Sequence, residues 1–216
     1  DLELLSESSA VKQALTEFSG AFSGFGVFRQ RTEAILKLAY NARSPDGPLT
    51  TDNSVPEVLK RYRDVHAVYG PWLSHLAKVR GYYDVFLINA SGDVVYSVAK
   101  EADFATNLLI GPWKDTHLGK SLNGALDDPP NIQKQFSDFH TYAPSGNAPA
   151  SFFSRPIEVD GNVVGVLVFQ TPISRINKIM QTTAGMGDTG QTYIVGRDRL
   201  MRSDSRFELG STILKT

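Results

Sequence analysis

Seven side chains carry the chemistry this sequence offers: Tyr96, Lys100, Trp113, Lys114, Phe153, Arg155 and Gln170. Phe153 and Arg155 lie two apart in a run of strand formers, so they share one face of a strand. Tyr96 and Gln170 belong to two other such runs. Trp113 and Lys114 fall in an irregular, aromatic stretch, 101–126, that reads as a flap over the sheet, with Lys100 at its root. A guanidinium beside aromatic rings suits a carboxylate: charge-assisted hydrogen bonds orient it while ring surface excludes water. The constellation therefore points to a pocket for a small polar, anionic molecule. The alternative reading leaves Arg155 on the surface, Phe153 in the core and Trp113 packing the flap down.

Catalytic patterns are missing. With no cysteine, the chain has no disulfide, thiolate metal site, c-type haem attachment or cysteine nucleophile. Gly185 to Gly190 (GMGDTG) matches the dinucleotide fingerprint as a string, but that loop must follow a strand and open a helix, and here the order is helix, glycines, strand. No Walker loop, Gly-x-Ser-x-Gly elbow or His-Glu-x-x-His pair occurs. His66 and His75 read as helix surface or packed core, His117 and His140 as pocket wall or surface, and Asp127-Asp128 before two prolines as a solvated turn. The expectation is a domain that is no enzyme and holds no metal or cofactor.

The seven residues need a sheet to place them. Residues 81–100 (GYYDVFLINASGDVVYSVAK) supply its centre, two apolar runs around the turn formers Ala90-Ser91-Gly92-Asp93. Strands are expected at 84–89 and 94–99, then at 135–142, 150–159 and 162–171, the later three joined as hairpins across Pro144–Asn147 and Asp160-Gly161. A lone hairpin is marginal in water, so these recruit one another and a helix. Leu2, Leu5, Val11, Leu15, Phe18 and Phe22 recur at spacings of three and four, and the periodicity runs on to Tyr40, predicting a long amphipathic N-terminal helix whose stripe serves both the sheet and a dimer partner. A further helix opens near Ser54 and Pro56. Gly70-Pro71 interrupts it, and a short helix over 72–79 leads into the hairpin. Short helices are also expected at 121–126 and 174–180, and a strand at 191–196.

The fold class is thus α+β: a long N-terminal helix on a five-stranded antiparallel sheet, with the start of a second module. The divisions are a helical segment over 1–80, the pocket-bearing module over 81–180 and a truncated second module over 187–216. The last rests on a strand-turn pattern shared by 84–92 and 192–198. The 216 residues are 41% hydrophobic and 21% charged with a formal net charge of -1, ordinary for a globular chain and without the basic footprint of a nucleic-acid binder. No apolar run reaches the roughly 18–20 residues of a membrane helix. The first residue is Asp rather than Met, which fits an excised segment whose flanking membrane helices, if it has any, lie outside it.

In order and phrasing the chain resembles the extracytoplasmic Cache sensor domains of bacterial chemotaxis receptors and sensor kinases. The phrases are Gly81–Asn89 after the helical segment, Gly92–Val98 (GDVVYSV), Pro149–Phe153 (PASFF), Gly165–Gln170 (GVLVFQ), and Gly187–Gly196 (GDTGQTYIVG) with Arg202–Phe207 after it. The last two resemble the opening of the membrane-proximal module of double-Cache receptors. The resemblance implies a PAS-like fold for the sheet, a pocket between sheet and flap, a periplasmic location as the extracytoplasmic part of an inner-membrane protein, a small-molecule ligand and a homodimer in the intact receptor. Many amino-acid-binding members carry an arginine before, and a tyrosine after, the flap tryptophan; here 109–115 reads LIGPWKD, so an amino-acid ligand bound in that way is not carried over. The other reading is a soluble PAS-like dimerisation module without a ligand.

Overall fold

The computed structural model describes residues 2–26, 29–40, 57–127 and 135–216. The N-terminal periodicity yields three helices instead of one: α1 (Leu2–Glu7), α2 (Ser9–Ser23) and α3 (Arg29–Ala39). Ser8 makes the first break. Its backbone is extended and its Oγ accepts from the Val11 N–H at 3.3 Å, capping a donor that α2 would leave orphaned. Gly24 to Gly26 make the second, Gly26 taking a positive φ of 82°.

The apolar stripe of α2 is sealed between the sheet and α4 (Glu57–Arg80), with Val11, Leu15, Phe18 and Phe22 all buried. None of it is left for a dimer partner, because α2 is an inner layer. The large apolar side chains that these helices expose are Leu4, Leu38, Val68, Trp72 and Val79. Helix α4 runs unbroken through Gly70-Pro71, against expectation. A proline removes one helix hydrogen bond, but turns on both sides bury Tyr62, Val65, His66, Leu73 and Ala77 in one core, and packing overrides the local preference. Ser54 and Pro56, the expected helix start, lie outside the described residues.

Five antiparallel strands form one sheet in the order β2-β1-β5-β4-β3: β1 (Asp84–Asn89), β2 (Val94–Ser97), β3 (Gln135–Tyr142), β4 (Ala148–Val159) and β5 (Asn162–Pro172). The β4–β5 turn is Asp160-Gly161 with φ of 50° and 75°, the left-handed pair that a two-residue hairpin loop requires. Helices α1, α2 and α4 cover one face, where Val85, Leu87, Leu167, Phe169 and Ile157 join the helix core. The flap and its helix α5 (His117–Asp127) cover the other, where Leu108, Leu118 and Leu122 meet Phe86, Ile88, Phe152, Val166 and Val168. Asn107 fastens the flap: its Nδ2 donates to Ser91 O and Asp93 Oδ1, both at 2.7 Å, and its Oδ1 accepts from the N–H groups of Leu109 and Ile110.

After α6 (Ile173–Met180), the expected strand 191–196 is reduced to a single bridge between Val195 and Met201. Residues beyond 187 stay outside the sheet. They are tied to β3 by the buried Arg202, which donates to both Asp138 oxygens at 3.2 and 3.0 Å, and to α6 by Asn177 and Asp204. Among the described residues no helix is long and apolar enough to cross a membrane.

The helix layer and the sheet come close at Gly165. A Cβ there would lie 2.2 Å from Ile88 O and 2.8 Å from Leu15 Cδ2. Gly165→Ala must push α2 off the sheet or distort the β1–β5 ladder, and is expected to destabilise by about 1–3 kcal/mol. A lowered urea midpoint at unchanged m-value is the confirming result.

Candidate ligand-binding site

The sheet separates the residues that the sequence groups together. A bulge between Leu87 and Ile88 lets β2 pair Tyr96 with Leu87 but Val94 with Ile88, so the simple alternation along β2 fails and Tyr96 turns to the helix side. There its hydroxyl donates to Gly70 O at 3.3 Å. Phe153 and Arg155 share a face, as expected, but it is the face of Ile157 and Phe169, which the helices cover. Arg155 donates to Glu7 at 2.9 Å and pairs with Glu3 at 3.5 Å, joining β4 to α1 instead of meeting the flap. Lys100, 5% exposed, lies over the rings of Tyr96 and Tyr40 at 5.2 and 5.6 Å, also on the helix side. Lys114 is exposed. Only Trp113, packed against the flap core, and Gln170 lie on the flap side.

What the flap side holds instead is acidic. Asp84 opens β1 opposite Gln170 and is wholly buried. Its Oδ1 accepts from the N–H groups of Val85, Val98 and Ala99 at 2.7, 2.7 and 3.1 Å, and its Oδ2 from the Ser97 hydroxyl at 2.7 Å. Asp103, equally buried, accepts from the Tyr142 hydroxyl at 2.6 Å through Oδ2. Glu101 accepts from Tyr83 at 2.5 Å and from Ser145 at 2.6 Å, and Ser145 Oγ in turn accepts from Gln170 Nε2 at 3.1 Å. Two buried acceptors remain over: Asp103 Oδ1 and Gln170 Oε1 have no hydrogen-bond partner among the described residues. Asp84, Glu101 and Asp103 form no salt bridge there either.

Sealing carboxylates together disfavours their charge. Burial first, and then the charge of Asp103, push Asp84 up to about 7 against the pull of its bonds from Ser97, Ala99 and Val98. Burial raises Asp103 to about 6, with Tyr142 holding it back and Glu101 adding to the rise. Tyr142 is itself driven far above the ordinary phenol range by burial and by Asp103. The sequence carried one signal of this cluster, a lone carboxylate between Tyr83 and Val85 at the head of an apolar strand. Asp103 and Glu101 gave none, since their burial depends on how the flap folds back.

The histidines do other things. His66 is buried among Phe18, Tyr40 and Tyr96, and burial with the nearby Lys100 lowers it to about 3. His117 on α5 stacks face to face on His140 of β3, ring centroids 3.4 Å apart and 2° from parallel, which helps hold α5 on the sheet. Burial and the His140 charge lower His117. Among the described residues no group of histidines and carboxylates is arranged to hold a metal ion.

No protein-family profile matches this chain, and no curated protein matches it in sequence. Solved structures do resemble it. The sensor domain of the V. cholerae histidine kinase DctB is 16% identical with a TM-score of 0.43, the match covering 79% of this chain and 58% of that one. The ligand-binding domain of the Pseudomonas fluorescens chemoreceptor CtaA, in complex with L-serine, is 14% identical with a TM-score of 0.47 over 87% and 69% of the two chains. That of the Pseudomonas aeruginosa chemoreceptor PctC, in complex with GABA, is 13% identical with a TM-score of 0.46 over 100% and 80%. The chain thus spans somewhat over half the length of the DctB sensor domain. Likeness at this level transfers no residue roles, so the site is assigned from this chain's own side chains.

The raised pKa of Asp103 has a stability consequence. A carboxyl whose folded pKa lies near 6 rather than 3.8 stabilises the fold while protonated, and that contribution is lost as pH rises from about 4 through about 6. Asp103→Asn keeps an acceptor for Tyr142 but cannot ionise. Its urea stability is expected to exceed that of the wild type by on the order of 2–3 kcal/mol near pH 8, the gap closing towards pH 4.5. Taking the difference between the two proteins cancels the opposite effect of His66, whose lowered pKa weakens the fold as pH falls below about 6.5. A gap that does not change with pH would contradict this picture.

Proposed function

We propose that this chain is the extracytoplasmic ligand-sensing part of a bacterial transmembrane receptor of the Cache type, and that its ligand presents a protonated amine to the carboxylates under the flap. One observation carries the ligand reading: among the described residues Asp103 Oδ1 and Gln170 Oε1 are buried without donors, beside carboxylates that form no salt bridge there. A buried acceptor left unmade costs about 1–3 kcal/mol, more when it is charged. An ammonium group offers up to three donors and the missing positive charge. The anionic ligand expected from the sequence loses its support, because Arg155 and Lys100 lie across the sheet, engaged with Glu3, Glu7 and the aromatic helix core.

Apolar flap residues, Trp113 among them, and Phe152 give the ligand's body a hydrophobic wall. Entry displaces the flap, and closure over the ligand is the change the receptor reads. Residues 81–180 form the sensing module, 1–80 its helical cover and 187–216 the opening of a second module. In support of that division, the last segment makes its own contacts, Met201 N to Lys215 O at 2.8 Å and Arg202 N to Ile194 O at 2.7 Å, and adds no strand to the sheet. A homodimer in the intact receptor then uses the exposed face of α4, with Val68, Trp72 and Val79, since α2 is covered.

Thermal-shift and calorimetric titration with simple alkylammonium ions, carboxylates and sugars tests the ligand class. Alkylammonium ions are expected to stabilise the protein, with affinity falling as pH drops below about 6 and Asp103 takes up its proton. Asp103→Asn should remove roughly 2–5 kcal/mol of binding. Stabilisation by carboxylates alone, or amine binding that survives Asp103→Asn intact, would sink the reading.

A further inference from the structure

The ammonium site and the helices lie on opposite faces of the sheet, and one segment reaches both. After β2 the chain leaves the sheet at its open edge and returns alongside it, Ala105 N donating to Val94 O at 3.2 Å and Val94 N to Thr106 O at 2.9 Å. Between these points its side chains go alternately to the two sides. Glu101 and Asp103 enter the carboxylate cluster. Lys100 and Phe104 enter the helix side, Phe104 fully buried with its ring edge-on to Tyr40 at 6.4 Å.

The carbonyl of Ala102, midway, accepts two hydrogen bonds from different layers: Lys37 Nζ of α3 at 2.6 Å and Trp113 Nε1 of the flap at 3.1 Å. Lys37 is also held by Glu33 at 2.7 Å. The segment is bracketed by two non-glycine residues with positive φ, Lys100 at 52° and Ala105 at 62°. Such conformations persist only where surrounding contacts impose them.

We propose that Lys100–Ala105 is a strap coupling the carboxylate cluster to α3, so that a change of charge at Asp103 loosens or tightens α3 through Ala102 and Lys37. The proposal rests on the reading of that cluster as the ligand anchor, and adds how occupancy is relayed. The physical link is short. Lys37 draws the Asp103 carboxylate down in pKa while bonding the carbonyl one residue before it. Neutralising Asp103 removes that attraction and leaves the ammonium of Lys37 held by one neutral acceptor and Glu33. Helix α3 has only 11 residues, a length that needs tertiary contacts to persist, so loss of an anchor shows as fraying.

Hydrogen exchange of the full chain, read by mass spectrometry on peptides from α3, α6 and 187–216, tests this with Asp103→Asn, Lys37→Met and the double variant. Asp103→Asn is expected to speed exchange in α3 by about threefold or more, with α6 and 187–216 unchanged and with the effect absent in the Lys37→Met background. Tyr142→Phe, which removes the donor to Asp103, serves as a second, independent perturbation of the same carboxylate. Unchanged α3 exchange in a folded variant, or an equal change with and without Lys37, overturns the strap. No ligand enters these comparisons. Their failure therefore leaves the ammonium reading to its own titrations, and failure of the titrations leaves the exchange result standing.

Discussion

A carboxylate sealed inside a protein must be given hydrogen bonds by the chain around it, and Asp84 takes four. Three of them come from the end of β2 and the residues just past it. This one side chain therefore stops β2 at Ser97 and turns the backbone out of the sheet. It also aims Lys100–Ala105 along the sheet's edge, since Ser97 Oγ accepts from the Lys100 N–H at 2.8 Å. Glu101 and Asp103 reach the flap side because of that turn, and Lys100 reaches the helix side. Much of the polar architecture hangs on a residue that, by composition, belongs on the surface.

Covering both faces of the sheet sets the second constraint. With apolar cores on either side, each strand residue commits to one core or the other and none can be shared. Charges are sorted in the same way. The flap side collects the buried carboxylates Asp84 and Asp103, while Arg155 and Lys100 are confined to the helix side. A five-stranded sheet thus acts as a partition between an acidic compartment and a cation-bearing, aromatic one, and the sign of the compartment under the flap decides what ligand it can take.

That partition gives the two halves different mechanical characters. The helix side is packed around Phe18, whose ring lies within 6.5 Å of those of Tyr62, His66, Tyr69 and Tyr96. Dense packing of this kind moves as a unit rather than yielding locally. The flap is held by a smaller apolar core, Leu108, Leu118 and Leu122 on the sheet, and by polar fastenings at Asn107, Trp113 and the His117–His140 stack. A lid with fewer contacts than the layer beneath it is suited to opening, since low local stability is drawn to such segments.

Local chemistry was enough to read the sheet. Apolar alternation and the Asp160-Gly161 and Pro144–Asn147 turns foretold all five strands, and β3 at its full extent, because strand pairing across short loops is a matter of neighbours in sequence. Helical segments were legible as well, though Ser8 as an N-cap and the continuity of α4 through Pro71 were not. The site was not legible. Alternation says that Phe153 and Arg155 share a face but not which core claims it, and one bulge in β2 reversed the assignment of Tyr96. Nor does sequence show that Asp84, Glu101, Asp103 and Tyr142 meet, because they come from two strands and a strap that only tertiary folding brings together. Sequence determines periodicity, which is local. Which side of the sheet is acidic depends on which layer covers which face, and that is settled only when helices and flap have packed.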